Sequence, residues 1–321
     1  MKQSFLNFPK QFLFEPEIEN KNKLRKANQF ILCGMGGSAL SGWLLKMIDP
    51  ETQIIIHRDY KLPKLQISEL KKKLIILSSF SGNTEETISS FETCKKLKLN
   101  FAVVTKGGKL LELAQKNKVP FVKLPDVDMQ PRVAIGLSLI AILSFTRQTK
   151  IKQELKKLAK SLNPISIEKQ TRKEFNIIKD KIPIIYASKI NFPLAYVWKI
   201  KFNETGKIPA FCNYFPELNH NEIEGFNYNK YDKHLSENFA FVFIKDKKDH
   251  PRIQKRMAIL KSILKNKNFP VIEEKIGQNR IKNIFELIIK ADWLSYKVAV
   301  KNKKDPEKVD LIENFKKLIK K

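Results

Sequence analysis

The sequence predicts an α/β protein with two doubly wound parallel-sheet domains, at residues 1–150 and 151–321. Two observations predict this fold class. Short apolar runs of strand length alternate with helical stretches in both halves, which is typical of parallel sheets covered by helices. A charged, lysine-rich stretch at 148–173 separates the two series, and we place the domain change there. The similar order of elements in the two halves suggests duplication.

The elements are predicted in chain order from apolar runs and helix boundaries. Residues 1–27 are polar and irregular, and we expect a helix or an arm there. The first half has predicted strands at 29–33, 53–56, 73–77, 101–105 and 119–122, and helices at 39–48, 84–97 and 132–147. The second half has predicted strands at 182–186, 239–244 and 270–276, and helices at 193–202, 256–265 and 284–300. A final helix is predicted after Asp305-Pro306.

The chain is strongly basic, with 61 Lys and Arg against 33 Asp and Glu and a net charge of +28. Nucleic-acid-binding proteins often have such a balance. The lysines are spread over the whole chain, however, and no RNA-binding signature accompanies them. We therefore expect a solvated, lysine-rich surface and no nucleic-acid partner. The positive field would still favour an anionic substrate.

The apolar runs and the cysteines of the sequence also indicate the cellular compartment in which the protein is expected. No apolar run approaches the ~18 residues of a membrane span, and the N-terminus has no apolar signal-peptide core. The three cysteines, Cys33, Cys94 and Cys212, are an odd number without CxxC spacing. This usage fits a reducing compartment and argues against a disulfide framework or a structural zinc. We expect a cytoplasmic protein with no membrane partner.

The stretch 78–87, Ser-Ser-Phe-Ser-Gly-Asn-Thr-Glu-Glu-Thr, joins a buried strand to an amphipathic helix. Four of its hydroxyls, those of Ser78, Ser79, Ser81 and Thr84, and one glycine lie where the helix begins. A helix N-terminus offers unpaired N–H groups and a partial positive charge, which suits a phosphate. An ordinary N-cap by Ser81 or Thr84 is the alternative, but one hydroxyl would suffice for that. We therefore favour a phosphate cradle formed by Ser79, Ser81 and Thr84.

A glycine-rich turn, 34–39, follows the first predicted strand with the pattern G-x-G-x-x-A. Taken alone, this pattern is a dinucleotide fingerprint, which also requires an acidic residue after the second strand. Asp59 is in range, but it follows two basic residues. A dinucleotide-dependent oxidoreductase therefore stays open as an alternative, as does a turn that serves only tight strand–helix packing.

The stretch 79–87 resembles the phosphosugar signature of sugar isomerase (SIS) domains, and among them it is most similar to the bifunctional phosphoglucose/phosphomannose isomerases. The resemblance implies two SIS, flavodoxin-like domains with the active site between them. In these families the glycine-rich turn makes Ser38 a substrate contact and Gly37 a place where the backbone approaches the sugar. The resemblance is supported by motifs in both halves of the chain.

Two motifs in the second half match this family. Residues 203–210, Asn-Glu-Thr-Gly-Lys-Ile-Pro-Ala, resemble a family pattern whose glutamate is the general base, which implies that role for Glu204. Residues 216–222, Pro-Glu-Leu-Asn-His-Asn-Glu, match the family's histidine signature, and His220 has the family's spacing from Glu204. Asn219 and Asn221 flank His220 and are able to fix its tautomer.

Arg132 follows Pro131 at the predicted start of the long apolar helix. A cation at a helix N-terminus is unfavourable for the helix dipole, so this placement indicates a nearby anion. The resemblance implies that Arg132 stabilises the negative charge that develops on the substrate. The alternative is an ordinary surface arginine.

The C-terminal stretch 305–316 resembles the family's closing helix, in which a lysine at the position of Lys316 reaches the active site. The residue seven positions earlier is Thr or Gln in related enzymes, and it has been linked to action on the mannose epimer. Here it is Val309, which cannot donate a hydrogen bond or hold a water molecule. Epimer preference is therefore open.

The resemblance implies reversible isomerisation of glucose 6-phosphate and fructose 6-phosphate through a cis-enediol, with mannose 6-phosphate as a further substrate to be tested. It also implies a homodimer in which His220 is shared across the interface. We expect no cofactor, and no metal, because His220 and the nearby glutamates lack an ordered ligand spacing. A non-catalytic, phosphosugar-binding SIS regulator is the remaining alternative.

Overall fold

The computed structural model describes residues 1–319 and divides into two compact units. The first unit is Asn7–Leu162. The second unit combines Met1–Leu6, which contains helix α1 (Lys2–Leu6), with the chain from Asn163 onward. The chain therefore passes from one unit to the other twice, after Leu6 and after Leu162.

The first unit is built from alternating strands and helices. Its strands are β1 (Phe30–Cys33), β2 (Ile54–His57), β3 (Leu74–Ser79), β4 (Phe101–Thr105) and β5 (Phe121–Lys123). Its helices are α2 (Gly36–Ile48), α3 (Ile67–Lys71), α4 (Glu85–Lys96), α5 (Gly108–Lys116), α6 (Ile135–Thr146) and α7 (Thr149–Ser161). The boundary expected at 150/151 falls inside α7, whereas the two units divide after Leu162.

Within the described residues, β1 to β5 form a parallel sheet in the order β2-β1-β3-β4-β5. Strands β1 and β3 are buried along their whole length, as expected for a parallel sheet covered on both faces. Phe91 of α4 and Leu110 of α5 pack on one face, while α2 and α6 contact each other and the other face. Helix α6 is apolar and buried on all sides, which explains its uniform hydrophobic sequence.

The strand order reverses between β1 and β3, because the chain proceeds from β1 outward to β2 and then returns to β3. Cys33 is level with Leu77 in the parallel register. The turns that follow these two strands therefore meet at one edge of the sheet. Such a switch point is where open α/β sheets bind their ligands.

The second unit repeats this construction. Its strands are β6 (Ile182–Ser188), β7 (Phe211–Phe215), β8 (Phe239–Asp246) and β9 (Val271–Ile276). Its helices are α8 (Pro164–Gln170), α9 (Arg172–Ile178), α10 (Phe192–Ile200), α11 (Lys233–Ser236), α12 (Pro251–Asn266), α13 (Arg280–Lys301) and α14 (Asp310–Ile319). In the described part of the chain, the parallel order β7-β6-β8-β9 matches the order of β1 to β4 in the first sheet.

The second core lies on both faces of this sheet. Met257, Leu260 and Leu264 of α12 pack against Tyr186 and Phe241 on one face. Helices α10 and α13 contact each other and cover the other face. The predicted fold class, α/β with two doubly wound parallel sheets, is therefore confirmed.

The structure differs from the local predictions at two places. The long apolar helix starts at Ile135, so Pro131 and Arg132 lie in the turn before it. Strand β7 was not predicted. The stretch 148–173, where the domain change was placed, is occupied mainly by α7 and α8, and the two units divide within it, after Leu162. Across residues 1–319, no helix is both long and apolar enough to cross a membrane.

Candidate active site

The turn between β3 and α4 holds a pair of hydroxyl groups. Ser79 Oγ and Thr84 Oγ1 lie 2.7 Å apart, and the Gly82 N–H donates to Ser79 Oγ at 3.0 Å. Thr84 occupies the N-cap position of α4, but its side chain makes no capping hydrogen bond. Ser81 is exposed, and its Oγ accepts from the Asn83 N–H at 3.3 Å, ahead of the helix. Simple N-capping therefore does not explain these hydroxyls.

Ser38 connects this turn to the turn after β1. Its Oγ accepts a hydrogen bond from the Phe80 N–H at 3.2 Å, and its side chain is buried. Gly34 makes the close approach possible, since a Cβ there would lie 2.7 Å from the Ser78 carbonyl oxygen. The structure thus brings Ser38 and the cradle hydroxyls to one edge of the sheet.

Two glycines are required by the geometry of this edge. Gly82 has a φ of +73°, and a Cβ there would collide with the carbonyl of Gly107. A Cβ at Gly37 would lie 2.8 Å from the Pro131 carbonyl oxygen and 3.5 Å from the Cα of Arg132. Gly37 therefore allows the first turn of α2 to pack against the turn that contains Arg132.

Arg132 is only 3% exposed, and its guanidinium donates to Gln130 Oε1 at 3.3 Å. It is not a surface arginine. Its turn is closed by the Val133 N–H, which donates to the Gln130 carbonyl at 2.8 Å. Because α6 begins three residues later, the helix-dipole argument for a nearby anion does not hold at this position.

Glu204 lies in a π-helical turn, Lys201–Thr205, that continues from α10. The Gly206 N–H donates to the Lys201 carbonyl at 3.0 Å and closes the wide turn. Such turns are rare and occur often at functional sites. The sequence placed Glu204 just past a helix, and the structure refines this to a distorted final turn.

Lys207 holds this turn from its other side. It has a left-handed φ of 58°, and its Nζ donates to the Glu204 carbonyl at 2.5 Å and to the carbonyl of Lys308. The turn is thereby joined to the segment that precedes α14. Sequence reasoning missed Lys207, although the lysine of the family pattern around Glu204 marked it.

Glu204 lines a cavity of about 600 Å³ in the second unit. The lining residues come from two segments of the chain: Asn203, Glu204, Lys207, Ile208, Pro209, Lys304, Asp305, Lys308, Val309, Asp310, Leu311 and Ile312. Val309, which the family resemblance linked to epimer preference, therefore shares a cavity with Glu204. His220 and Lys316 are not among the described residues that line it.

His220 ends a short 3-10 turn, Glu217–His220, and its side chain is exposed. The flanking asparagines do not fix its tautomer. Asn219 Oδ1 accepts from Arg256 at 3.3 Å, and Asn221 donates to Glu217 Oε1 at 3.1 Å. These side chains hold the turn and leave the imidazole at the surface.

Glu222 follows this turn and is held by two strands. Tyr186 of β6 donates its hydroxyl to Glu222 Oε1 at 2.5 Å, and Asn213 of β7 donates to Glu222 Oε2. Burial, followed by the charge of Glu222, raises the pKa of Tyr186, so the phenol keeps its proton. No sequence signal marked Tyr186, because an apolar strand does not reveal which hydroxyl meets a distant carboxylate.

Lys316 lies on α14 and is 59% exposed, with its Nζ 2.8 Å from Glu313 Oε1. The apolar side chains of α14, including Leu311 and Phe315, are also exposed. The structure does not bring Lys316 to the cavity.

Within residues 1–319, no set of three His, Cys, Asp or Glu side chains is placed to hold a metal ion.

Comparisons with known proteins agree with these motifs. Residues 167–319 match the family described as the bacterial phospho-glucose isomerase C-terminal SIS domain. A bifunctional phosphoglucose/phosphomannose isomerase of Caldicellulosiruptor bescii is 34% identical over 340 residues, covering 98% of each chain. Another from Thermoplasma volcanium is 31% identical over 303 residues, covering 92% of this chain and 93% of the relative.

A solved structure extends the likeness to the fold. The glucosamine-6-phosphate deaminase of Thermotoga maritima superposes with a TM-score of 0.68 at 14% identity, covering 95% of this chain and 94% of the other. At that identity the match supports the fold alone. The near-complete coverage by relatives at more than 30% identity shows the family: this chain belongs to the bifunctional phosphoglucose/phosphomannose isomerases.

Proposed function

We propose that this protein isomerises glucose 6-phosphate and fructose 6-phosphate reversibly. The main supporting observation is Glu204, whose carboxylate stands at a cavity of about 600 Å³ on a π-helical turn. The cavity is large enough for a sugar, since ligand pockets begin at about 300 Å³. The names of the C. bescii and T. volcanium relatives state two activities, phosphoglucose isomerase and phosphomannose isomerase, and the first of these is the reaction proposed here.

Glu204 would act as the general base. Isomerisation moves one proton between C1 and C2 through a cis-enediol or enediolate, and one base on one face of that intermediate can remove and return it. Carboxylates are ionised at neutral pH and suit this task. Arg132 would stabilise the negative charge that develops on the intermediate. Its burial supports this role, because a buried guanidinium acts in a setting of low dielectric.

The first unit would bind the phosphate of the substrate. Ser38, Ser79, Ser81 and Thr84 stand around the start of α4, whose first turn lacks a side-chain cap. The N–H groups of that turn and the hydroxyls together offer donors without adding positive charge. Gly37 would let the backbone of α2 approach the sugar. These contacts would position the carbon chain for proton transfer.

His220 would assist ring opening by moving a proton between the ring oxygen and a hydroxyl, a task that suits imidazole near neutral pH. We propose a homodimer in which His220 serves the active site of the partner copy. Its exposed position on a short turn supports this, because the imidazole is available to another chain. We further propose a cytoplasmic enzyme of glycolysis and gluconeogenesis.

Two other functions have less support. For a dinucleotide enzyme, the acidic residue after β2 would have to bind a ribose, but Asp59, the acidic residue in range, follows the basic pair His57-Arg58. A non-catalytic SIS regulator would not need a carboxylate in a π-helical turn beside a cavity. We therefore favour the isomerase.

Glu204→Gln tests the base. The substitution keeps shape and polarity but removes the proton acceptor, so isomerisation should fall by ~10²–10⁴-fold. Exchange of the C2 hydrogen with deuterated water, followed by NMR, should cease while substrate binding persists. Normal exchange in this variant would contradict the assignment and would direct attention to Glu217.

His220→Ala tests the division of roles. Isomerisation of the cyclic substrate should slow, because ring opening is impaired. A short aldose phosphate that cannot cyclise should lose much less rate, because Glu204 is intact. Equal losses on both substrates would show that His220 does not act in ring opening.

A further inference from the structure

Glu222 is the polar anchor of the turn that carries His220. Both of its carboxylate oxygens accept hydrogen bonds, one from the Tyr186 hydroxyl at 2.5 Å and the other from the Asn213 side chain. These donors lie on β6 and β7, which pair directly, with Tyr186 level with Asn213. The carboxylate is therefore fixed against two adjacent strands of the sheet.

The turn itself is closed by short-range bonds. The Glu222 N–H donates to Asn221 Oδ1 at 2.6 Å, and Asn221 Nδ2 donates to Glu217 Oε1 at 3.1 Å. Leu218 is fully buried and provides an apolar anchor on the other side of His220. His220 is therefore exposed between two anchors. Leu218, two residues before it, is the apolar anchor, and Glu222, two residues after it, is the polar anchor.

This arrangement argues against a general-base role for Glu222. A general base must present its carboxylate to the substrate, whereas each oxygen of Glu222 accepts a hydrogen bond from the sheet, which directs the carboxylate at β6 and β7. The Tyr186 side chain is fully buried, so the carboxylate is held where water does not compete for the hydroxyl. The function that remains for the Glu222 carboxylate is to fix the position of the turn that carries His220.

We propose that Glu222, held by Tyr186 and Asn213, is a positioning residue that fixes His220 for ring opening. The inference rests on the proposed function, in which His220 moves the ring-opening proton. Loss of either hydrogen bond would let the turn shift relative to the sheet. Misplacement of a catalytic group by about 1 Å can cost roughly 100-fold in rate.

Tyr186→Phe is the sharpest variant, because it removes one hydroxyl and keeps the aromatic packing against Phe215, Phe241 and Phe243. The matched control is Tyr228→Phe, which removes the hydroxyl that donates to the Lys267 carbonyl and leaves Glu222 untouched. Both variants should unfold at similar temperatures.

The kinetic signature separates positioning from general stability. Tyr186→Phe should lower kcat on the cyclic sugar phosphate by roughly 10- to 100-fold, with KM nearly unchanged. The same variant should turn over an open-chain aldose phosphate at close to the wild-type rate, while Tyr228→Phe should retain activity on both substrates. In a His220→Ala background, Tyr186→Phe should have no further effect. An additive loss there, or an equal loss on both substrates, would overturn the proposal.

Hydrogen–deuterium exchange gives a readout that does not depend on activity. Amides of residues 218–223 should exchange faster in Tyr186→Phe and in Glu222→Gln than in wild type, with no change in the same peptides for Tyr228→Phe. Unchanged exchange in both variants would overturn the positioning role of Glu222, whether or not the enzyme is active. A wild-type protein without isomerase activity would overturn the proposed function instead. The exchange data distinguish these two failures because they do not depend on activity.

Discussion

Lys201 and Asp292 form an ion pair that is completely closed to solvent, with Lys201 Nζ 2.6 Å from Asp292 Oδ1. Lys201 is the first residue of the π-helical turn that carries Glu204, and Asp292 lies in the middle of α13. Removing two charges from water is costly, and the pair repays this only while both partners are present. The position of Glu204 therefore depends on a buried electrostatic contact.

Breaking this pair should destabilise the protein strongly. Lys201→Met alone would leave a buried carboxylate without its cation, and we expect a loss of about 3–5 kcal/mol in the free energy of unfolding. The double variant Lys201→Met with Asp292→Leu should regain most of this loss, because it removes both charges. Urea denaturation of the three proteins provides the measurement. A double variant as unstable as the single one would show that packing, and not charge, dominates here.

The cradle should govern affinity for the phosphate. Ser81→Ala combined with Thr84→Ala should weaken binding, with each lost hydrogen bond to a charged phosphate costing about 1.5–3 kcal/mol. Titration calorimetry with 6-phosphogluconate measures this directly. Thr93→Ala is a matched control, since its hydroxyl donates to the Ser89 carbonyl further along α4. Unchanged affinity in the double variant would place the phosphate site elsewhere.

Activity should survive exhaustive chelation. The residues around His220 lack the ordered spacing of metal ligands, and Glu222 is already bonded to Tyr186 and Asn213. We expect the isomerisation rate with EDTA to equal the rate without it. Loss of activity that Zn²⁺ or Mn²⁺ restores would point instead to a metal site formed by His220 and its neighbouring glutamates.

The cysteines should react slowly with thiol reagents in the native protein. Burial raises the pKa of Cys33 to about 12 and that of Cys212 to about 11, and it raises the pKa of Cys94 as well. Only the thiolate reacts, so at pH 8 Cys212 should label on the order of 100-fold more slowly than a free thiol. Cys33 and Cys94 should label only on unfolding, and rapid native labelling of all three would contradict this.

Val309→Thr tests epimer preference, because threonine matches valine in shape and adds a hydroxyl at the wall of the Glu204 cavity. We expect the ratio of mannose 6-phosphate to glucose 6-phosphate turnover to rise. Coupled assays with both substrates measure the ratio. Val300→Thr, on α13 and outside this cavity, is the control. An unchanged ratio would remove Val309 from the determinants of specificity.

The first sheet could be predicted well because each of its strands is a short apolar run bounded by polar residues. The strand Phe101–Thr105 was predicted to the residue. The cradle was also recognisable, since its hydroxyls are adjacent in sequence. Local patterns therefore defined the elements that place the phosphate site.

Strand β7 was missed because its apolar and polar residues do not alternate regularly and because it lies between the two family motifs around Glu204 and His220. Asn213 interrupts its apolar residues, and its burial is partial along most of its length. The pair of Lys201 and Asp292 was missed for another reason. No local pattern shows that two charged residues far apart in sequence meet in a core. The hydrogen bond between Tyr186 and Glu222 was missed for the same reason, because these residues are also distant in sequence.

The discontinuous second unit has a consequence for how the protein is made. Phe5 of α1 is fully buried, and its ring packs edge-on against that of Trp293 with 5.2 Å between the ring centroids, so residues synthesised before the first unit complete a core whose remainder is synthesised after it. Residues 7–162 can fold while synthesis continues, but residues 1–6 cannot pack into their core until α13 has been synthesised. A fragment that starts at Asn163 would therefore lack Phe5 and expose Trp293, and adding residues 1–6 as a separate peptide should restore its stability.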